Sequence, residues 1–258
     1  MALDYFVVRR PYMLAHRGAS AYAPENTVAA FDRALALRTD GIETDIRVTR
    51  DGVLVLMHDA TVDRVTDGTG PLSDLDYDAV SRLDAGVGFG NEYPDARVPR
   101  LDEFLARYGG RVPLCLEIKQ PGTEAAIVTA VADRGLTADA PPSDVAPPGG
   151  LSLPHVVYSS FSFESCEALR LLAPRAVVGF LTPVFDEAMI ERVRAAGLGQ
   201  ICPRIDTCTL ALVASAHDHG LSVRAWGVRE RENLRAALAV GIDGTTCNWP
   251  DWTLTPSR

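Results

Sequence analysis

Strand-like and helix-like hydrophobic patterns alternate along most of the chain. Short apolar runs lie at about 12–16, 41–48, 112–118, 155–160, 175–181, 199–203, 221–227 and 241–246, and they read as strands. Longer stretches with helical spacing lie between and after them, at 26–38, 100–108, 123–134, 162–172, 186–196, 206–219 and 230–239. Repeated strand–helix units build a parallel sheet. Eight such strands suit an α/β TIM (β/α)8 barrel. An open doubly wound sheet is the alternative, because a strand count does not establish closure.

Two stretches break the rhythm. Residues 49–99 separate the second strand from its helix. They begin with Arg50-Asp51-Gly52, a turn signal that makes 53–57 a return strand of a hairpin. The remainder, about 59–99, is rich in Asp and Gly and reads as an inserted cap over the barrel mouth. Residues 137–154 are rich in Pro, Ala and Gly, a composition that favours an exposed loop.

Composition narrows the picture. At 258 residues the chain has the size of one α/β barrel, so a single domain over 1–258 is expected. Hydrophobic residues make up 47%, enough for a large core. A formal net charge of −9 argues against nucleic-acid partners, while leaving room for a local basic pocket that takes one phosphate. The five cysteines, Cys115, Cys166, Cys202, Cys208 and Cys247, are odd in number and lack CxxC spacing, so they read as reduced thiols. The first residues contain no long apolar run, since Asp4, Arg9 and Arg10 interrupt it. No signal peptide or membrane span is expected, and the cytoplasm is the default compartment.

The candidate chemistry lies in the strands. A parallel barrel strand is covered on both faces and should be apolar on both. The second strand instead reads Ile42-Glu43-Thr44-Asp45-Ile46. Side chains alternate along a strand, so Glu43 and Asp45 share one face and Ile42, Thr44 and Ile46 the other. The third strand repeats the pattern, with Leu114, Leu116 and Ile118 on one face and Cys115, Glu117 and Lys119 on the other. If the apolar faces meet the helices, three carboxylates point into the barrel. Gathering like charges there is costly without a cation. A hard divalent ion satisfies an all-oxygen set, with Mg2+ or Ca2+ favoured over zinc. A salt-bridge cluster with Arg47 and Lys119 would serve equally.

His16 ends the first strand and His58 ends the hairpin return. Both fall near the C-terminal mouth, where such barrels place their chemistry. Imidazole titrates near neutrality, so one ring can accept a proton while the other donates one. His155, His217 and His219 occupy a strand start and a polar helix end, and are set aside.

These residues resemble the glycerophosphodiester phosphodiesterase family. The likeness runs through His16-Arg17-Gly18, Pro24-Glu25-Asn26-Thr27, Glu43-Thr44-Asp45, Thr49-Arg50-Asp51-Gly52-Val53 and His58-Asp59. It continues through Arg64-Val65-Thr66-Asp67-Gly68-Thr69-Gly70, Glu117-Ile118-Lys119, Ser160-Phe161, Ala225-Trp226 and Gly241-Ile242-Asp243-Gly244. The resemblance implies a TIM barrel capped by an insertion after the second strand. It implies a divalent metal, Mg2+ or Ca2+ with Mn2+ as a further candidate, on Glu43, Asp45 and Glu117. His16 and His58 would be the acid–base pair, Arg17 and Lys119 would contact the phosphate, and Trp226 would line the pocket. The implied reaction is metal-dependent hydrolysis of a glycerophosphodiester to glycerol 3-phosphate and an alcohol, through attack by the glycerol 2-hydroxyl and a cyclic phosphate.

Two departures bear on the substrate. The family often has Trp-Thr where this chain has Trp226-Gly227, and Thr-Asp-x-Pro where it has Cys247-Asn248-Trp249-Pro250. A lysophospholipid or other lipid-like diester is a rival substrate on the same fold, and a non-catalytic phosphate-binding barrel is a rival of another class. A metal-dependent sugar isomerase fits the His-Arg-Gly and Glu-Ile-Lys contexts poorly.

Overall fold

The computed structural model describes residues 11–136 and 154–252. The strands are β1 (Tyr12–His16), β2 (Gly41–Val48), β3 (Leu54–Leu56), β4 (Leu114–Ile118), β5 (Val156–Ser160), β6 (Val177–Thr182), β7 (Gln200–Pro203), β8 (Ser222–Ala225) and β9 (Gly244–Cys247). The α-helices are α1 (Val28–Ala36), α2 (Tyr77–Val80), α3 (Leu101–Tyr108), α4 (Glu124–Asp133), α5 (Phe163–Leu172), α6 (Glu187–Ala195), α7 (Leu210–Asp218) and α8 (Arg231–Ala239). Neighbouring strands run β1-β9-β8-β7-β6-β5-β4-β2, and β1 also pairs with β2. All ring pairings are parallel, so eight strands close a (β/α)8 barrel and the open-sheet alternative falls. The short β3 lies outside the ring, antiparallel to β2, as the hairpin signal predicted.

Two-residue alternation sorts the barrel. Ile42, Ile46, Leu114, Leu116 and Ile118 join Phe31, Leu101, Phe104 and Ile127 of the helices in one large core. Tyr12, Leu14, Cys115, Val157 and Val177 fill the interior at the bottom of the barrel. Tyr12 fits there because Gly244 opposes it. A Cβ on Gly244 would sit 2.4 Å from the tyrosine ring. Above this floor the inward positions become polar.

Helix starts follow their capping residues. Thr27, Ser162, Asp186 and Thr209 each accept a bond from a first-turn N–H. The helix expected over 206–219 therefore begins only at Leu210, and Ile205–Thr207 forms a separate 3₁₀ turn. The inserted segment between β3 and α3 is more than a polar flap. It contains α2 and two 3₁₀ turns, Leu72–Asp74 and Val87–Glu92. Val55, Met57, Val62, Leu72, Val80, Ala85, Ala96 and Val98 give it a small core of its own. The Pro-rich stretch 137–154 lies, apart from its last residue, outside the described residues. Among the described residues no helix is long and apolar enough to cross a membrane. The five cysteines are free thiols.

Candidate active site

The strand register brings the predicted residues to one level. His16 lies opposite Glu43, and Asp45 lies opposite Glu117. Glu43, Asp45 and Glu117 are 2%, 0% and 7% exposed. Each offers a carboxylate oxygen within 4.8 Å of the others. Glu43 Oε1 and Asp45 Oδ1 are buried with no hydrogen-bond partner. Leaving a buried acceptor unsatisfied costs about 1–3 kcal/mol, more when it is charged. Burial and the neighbouring Asp45 push Glu43 up to about 8 and Glu117 up to about 7. Burial also opposes ionisation of Asp45, but Arg17 and Lys119 hold it below the usual carboxylate range. An oxygen-only cluster with two orphaned acceptors fits a hard divalent cation.

The expected salt-bridge cluster forms only in part, and with a different arginine. Lys119 Nζ lies 2.7 Å from Glu117 and 3.7 Å from Asp45. Arg47, the other expected cation, points elsewhere: its Nε donates to the His58 carbonyl at 2.8 Å. Arg17 stands in its place, with Nε 3.1 Å from Asp45 and Nη1 2.9 Å from Glu25. The sharp turn after β1 explains this. Arg17 and Gly18 both take positive φ, 56° and 76°. The turn aims the Arg17 N–H at Glu43 Oε2, 3.0 Å away. Gly18 packs so closely on Ala30 that a Cβ would lie 2.6 Å from its backbone. Only glycine fits there.

Both histidines are held by Nδ1. His16 Nδ1 lies 2.6 Å from Asn248 Oδ1, an acceptor, so Nδ1 carries the proton and Nε2 faces Glu43 at 3.9 Å. His58 Nδ1 lies 2.6 Å from Asp59 Oδ1 and is oriented in the same way. Desolvation lowers both imidazoles below their ordinary value, although Asp45 and the two Nδ1 partners work against the shift. Asp59 is in turn held at about 2, against partial burial, by Arg64 and His58. Arg64 Nε donates to Asp59, while its two Nη atoms fork onto Glu25 at 2.9 and 2.7 Å. A continuous chain of charge thus joins His58, Asp59, Arg64, Glu25, Arg17 and Asp45. Asn26 braces the same cluster, donating from Nδ2 to Asp45 at 2.9 Å and accepting from Thr44 at 2.8 Å.

The other half of the cleft is different. Phe161 and Trp226 meet edge-on, with centroids 5.2 Å apart, and Trp226 Nε1 donates to the Cys202 carbonyl at 3.0 Å. Leu181, Val228 and Gly227 complete this wall. Together the two halves enclose about 290 Å³, lined also by His16, Arg17, Glu43, His58, Glu117 and Lys119. Every predicted site residue except the fully buried Asp45 borders this cleft. Two larger clefts, of about 580 and 390 Å³, open outside the barrel beside α1 and α3 and contain no histidine.

Sequence reasoning missed Arg224, Asn248 as a histidine partner, and Arg64 as a brace. Arg224 is 1% exposed at the cleft floor, bonded through Nε to Gln200 at 2.9 Å, with Nη2 unpartnered. The alternation rule that exposed Glu43 would have found it, since an arginine in Val223-Arg224-Ala225 is equally anomalous in a buried strand. Asn248 and Arg64 gave no comparable signal.

Comparison with known proteins identifies the family. The family model for the glycerophosphoryl diester phosphodiesterase family matches residues 16–252. A glycerophosphodiester phosphodiesterase of Caldanaerobacter subterraneus subsp. tengcongensis is 32% identical, over 93% of this chain and 94% of its own. A crystal structure of glycerophosphodiester phosphodiesterase from Agrobacterium tumefaciens superposes with a TM-score of 0.79 at 28% identity, covering 95% of this chain and 99% of that one. An Oleispira antarctica phosphodiesterase in complex with the product sn-glycerol-3-phosphate superposes with a TM-score of 0.79 at 25% identity, covering 94% of each chain. With a model match across nearly the whole chain, the protein belongs to the glycerophosphoryl diester phosphodiesterase family.

Proposed function

We propose that this phosphoric diester hydrolase cleaves glycerophosphodiesters to glycerol 3-phosphate and an alcohol in a metal-dependent reaction, with His16 and His58 as general acid and base. The observation that carries the reading is a buried carboxylate cluster with two orphaned oxygens beside two histidines, both held by Nδ1. Glu43, Asp45 and Glu117 would hold the ion, Mg2+, Ca2+ or Mn2+. When bound, it supplies positive charge and Lewis-acid polarisation at the phosphate.

The chain's own residues do the rest. Arg17 and Lys119 add cationic charge where the phosphate must approach three carboxylates. His16 is bonded to a neutral amide and His58 to a carboxylate. A charged carboxylate supports an imidazolium more strongly than a neutral amide does, so His16 suits the base and His58 the acid of the first step. His16 Nε2 takes the proton of the glycerol 2-hydroxyl as that oxygen bonds to phosphorus. The bond from phosphorus to the headgroup oxygen breaks, and His58 protonates the departing alcohol. In the second step His58 takes a proton from water, which bonds to phosphorus. His16 returns its proton to the 2-oxygen as the ring opens, giving glycerol 3-phosphate.

The size of the cleft favours a short headgroup over an acyl chain. About 290 Å³ is at the lower limit of small-ligand pockets, and no apolar cap residue lines it. Free thiols at all five cysteines suit a reducing compartment, and we assign the enzyme to the cytoplasm. The test is release of glycerol 3-phosphate from glycerophosphocholine, with and without divalent metal, in wild type and His58→Ala. Metal-dependent release by wild type, lost in the folded variant, is the expected result. Full activity in excess chelator contradicts it.

A further inference from the structure

The cations of the cleft are unevenly employed. Arg17 and Lys119 stand by β1 and β4, and each faces carboxylates within 4 Å. Arg224 lies buried on the floor against Gln200. Arg229 is the one exposed arginine or lysine of the lining, and it has no hydrogen-bond or ion-pair partner among the described residues. It follows β8, which stands opposite β4 in the ring of eight. Arg229 therefore occupies the wall across from Lys119 and Glu117.

Gly227 puts it there. Its φ of 86° turns the chain immediately after Trp226. Val228 then tucks into the cleft wall at 6% exposure, and Arg229 is left at the mouth. A β-branched residue in place of Gly227 would be poorly suited to this positive φ. Gly227 thus sets the path of the loop that presents Arg229.

Arg229 lines the same cleft as Glu43 and Glu117, so a headgroup that runs outward from a phosphate held over the carboxylates would pass its guanidinium. A quaternary ammonium finds little to hold it there. The aromatic surface is limited to Phe161 and Trp226, and Lys119 Nζ already lies over the Phe161 ring, 5.7 Å from its centre. We infer that Arg229 is a specificity-determining residue, favouring diesters whose alcohol headgroup carries an anionic group such as a carboxylate. The inference rests on the phosphodiesterase reading above.

Two substrates that differ by one carboxylate test it: sn-glycero-3-phosphoserine and sn-glycero-3-phosphoethanolamine, each with the metal-loaded enzyme. Wild type is expected to favour the serine diester in kcat/KM by about 5-fold, the contribution of one exposed charge pair. Arg229→Gln is expected to bring that ratio close to unity, while kcat/KM for the ethanolamine diester stays within about twofold. Arg229→Lys is expected to retain most of the preference, and added salt to weaken it. An unchanged ratio in Arg229→Gln, or a wild-type preference for ethanolamine, overturns the inference and leaves the phosphodiesterase reading standing. No turnover of either diester, nor of glycerophosphocholine, overturns the phosphodiesterase reading and this inference with it.

Discussion

The two halves of the barrel mouth are built on opposite principles. The half formed by β1, β2, β4 and the cap is dense with charge, and nearly every charged group there is braced by another. His58, Asp59, Arg64, Glu25, Arg17 and Asp45 form one continuous chain. The half formed by β5 to β8 is a sparse wall of Phe161, Leu181, Trp226 and Val228, with Arg229 at its rim, unpartnered among the described residues. Fixed dipoles and charges preorganise chemistry, whereas apolar walls supply binding common to ground and transition states. The charged half should therefore govern kcat, and the aromatic half KM and headgroup choice.

The largest effect expected is on the charged half. His16→Ala or His58→Ala should lower kcat by about 10²–10⁴-fold with KM little changed. Steady-state kinetics on a variant of wild-type circular dichroism checks this. Arg64→Ala comes next. Arg64 touches no substrate in this account and acts by holding Asp59 and Glu25. Loss of such a brace should cost about 10-fold in kcat, with Arg64→Lys restoring only part because a lysine cannot fork. A KM effect without a kcat effect would show that Arg64 belongs to binding.

On the aromatic half, Trp226→Ala should raise KM by about 5-fold and leave kcat within about twofold. If Trp226→Ala instead loses as much kcat as His58→Ala, the division between the halves is wrong. The smallest effect concerns stability. Glu43 and Glu117 have folded-state pKa values raised above their unfolded ones, so the folded protein binds more protons. Stability of the metal-free protein must then fall as pH rises through their folded values. The histidines, lowered in the fold, oppose this only below about pH 6.5. Between about pH 6.5 and 8, metal-free protein should lose about 2 kcal/mol, and divalent metal should reverse the loss. Denaturant unfolding at several pH values reads both.

What was legible in the sequence follows the same division. Glu43, Asp45 and Glu117 were visible because a carboxylate in a doubly covered strand breaks an otherwise apolar rule. The eight ring strands were visible for the converse reason, that buried strands are short apolar runs. The choice of Arg17 over Arg47 was not, since it depends on a left-handed turn at Arg17-Gly18 that no periodicity records. The pairing of His16 with Asn248 spans 232 residues and exists only once the barrel closes β9 onto β1. The core of the cap was hidden because its apolar residues are scattered among Asp and Gly without a regular period.

The claim that three buried carboxylates form a metal centre is tested most directly by calorimetric titration. Mg2+, Ca2+ and Mn2+ are titrated separately into chelator-stripped protein at pH 8, in wild type and in Glu43→Gln. The account predicts that at least one ion binds wild type with a stoichiometry of one, with affinity falling as pH is lowered. Glu43→Gln should weaken binding by about 100-fold or more, beyond the range of an outer-sphere substitution. No heat of binding for any of the three ions, or equal affinity in Glu43→Gln, would contradict it.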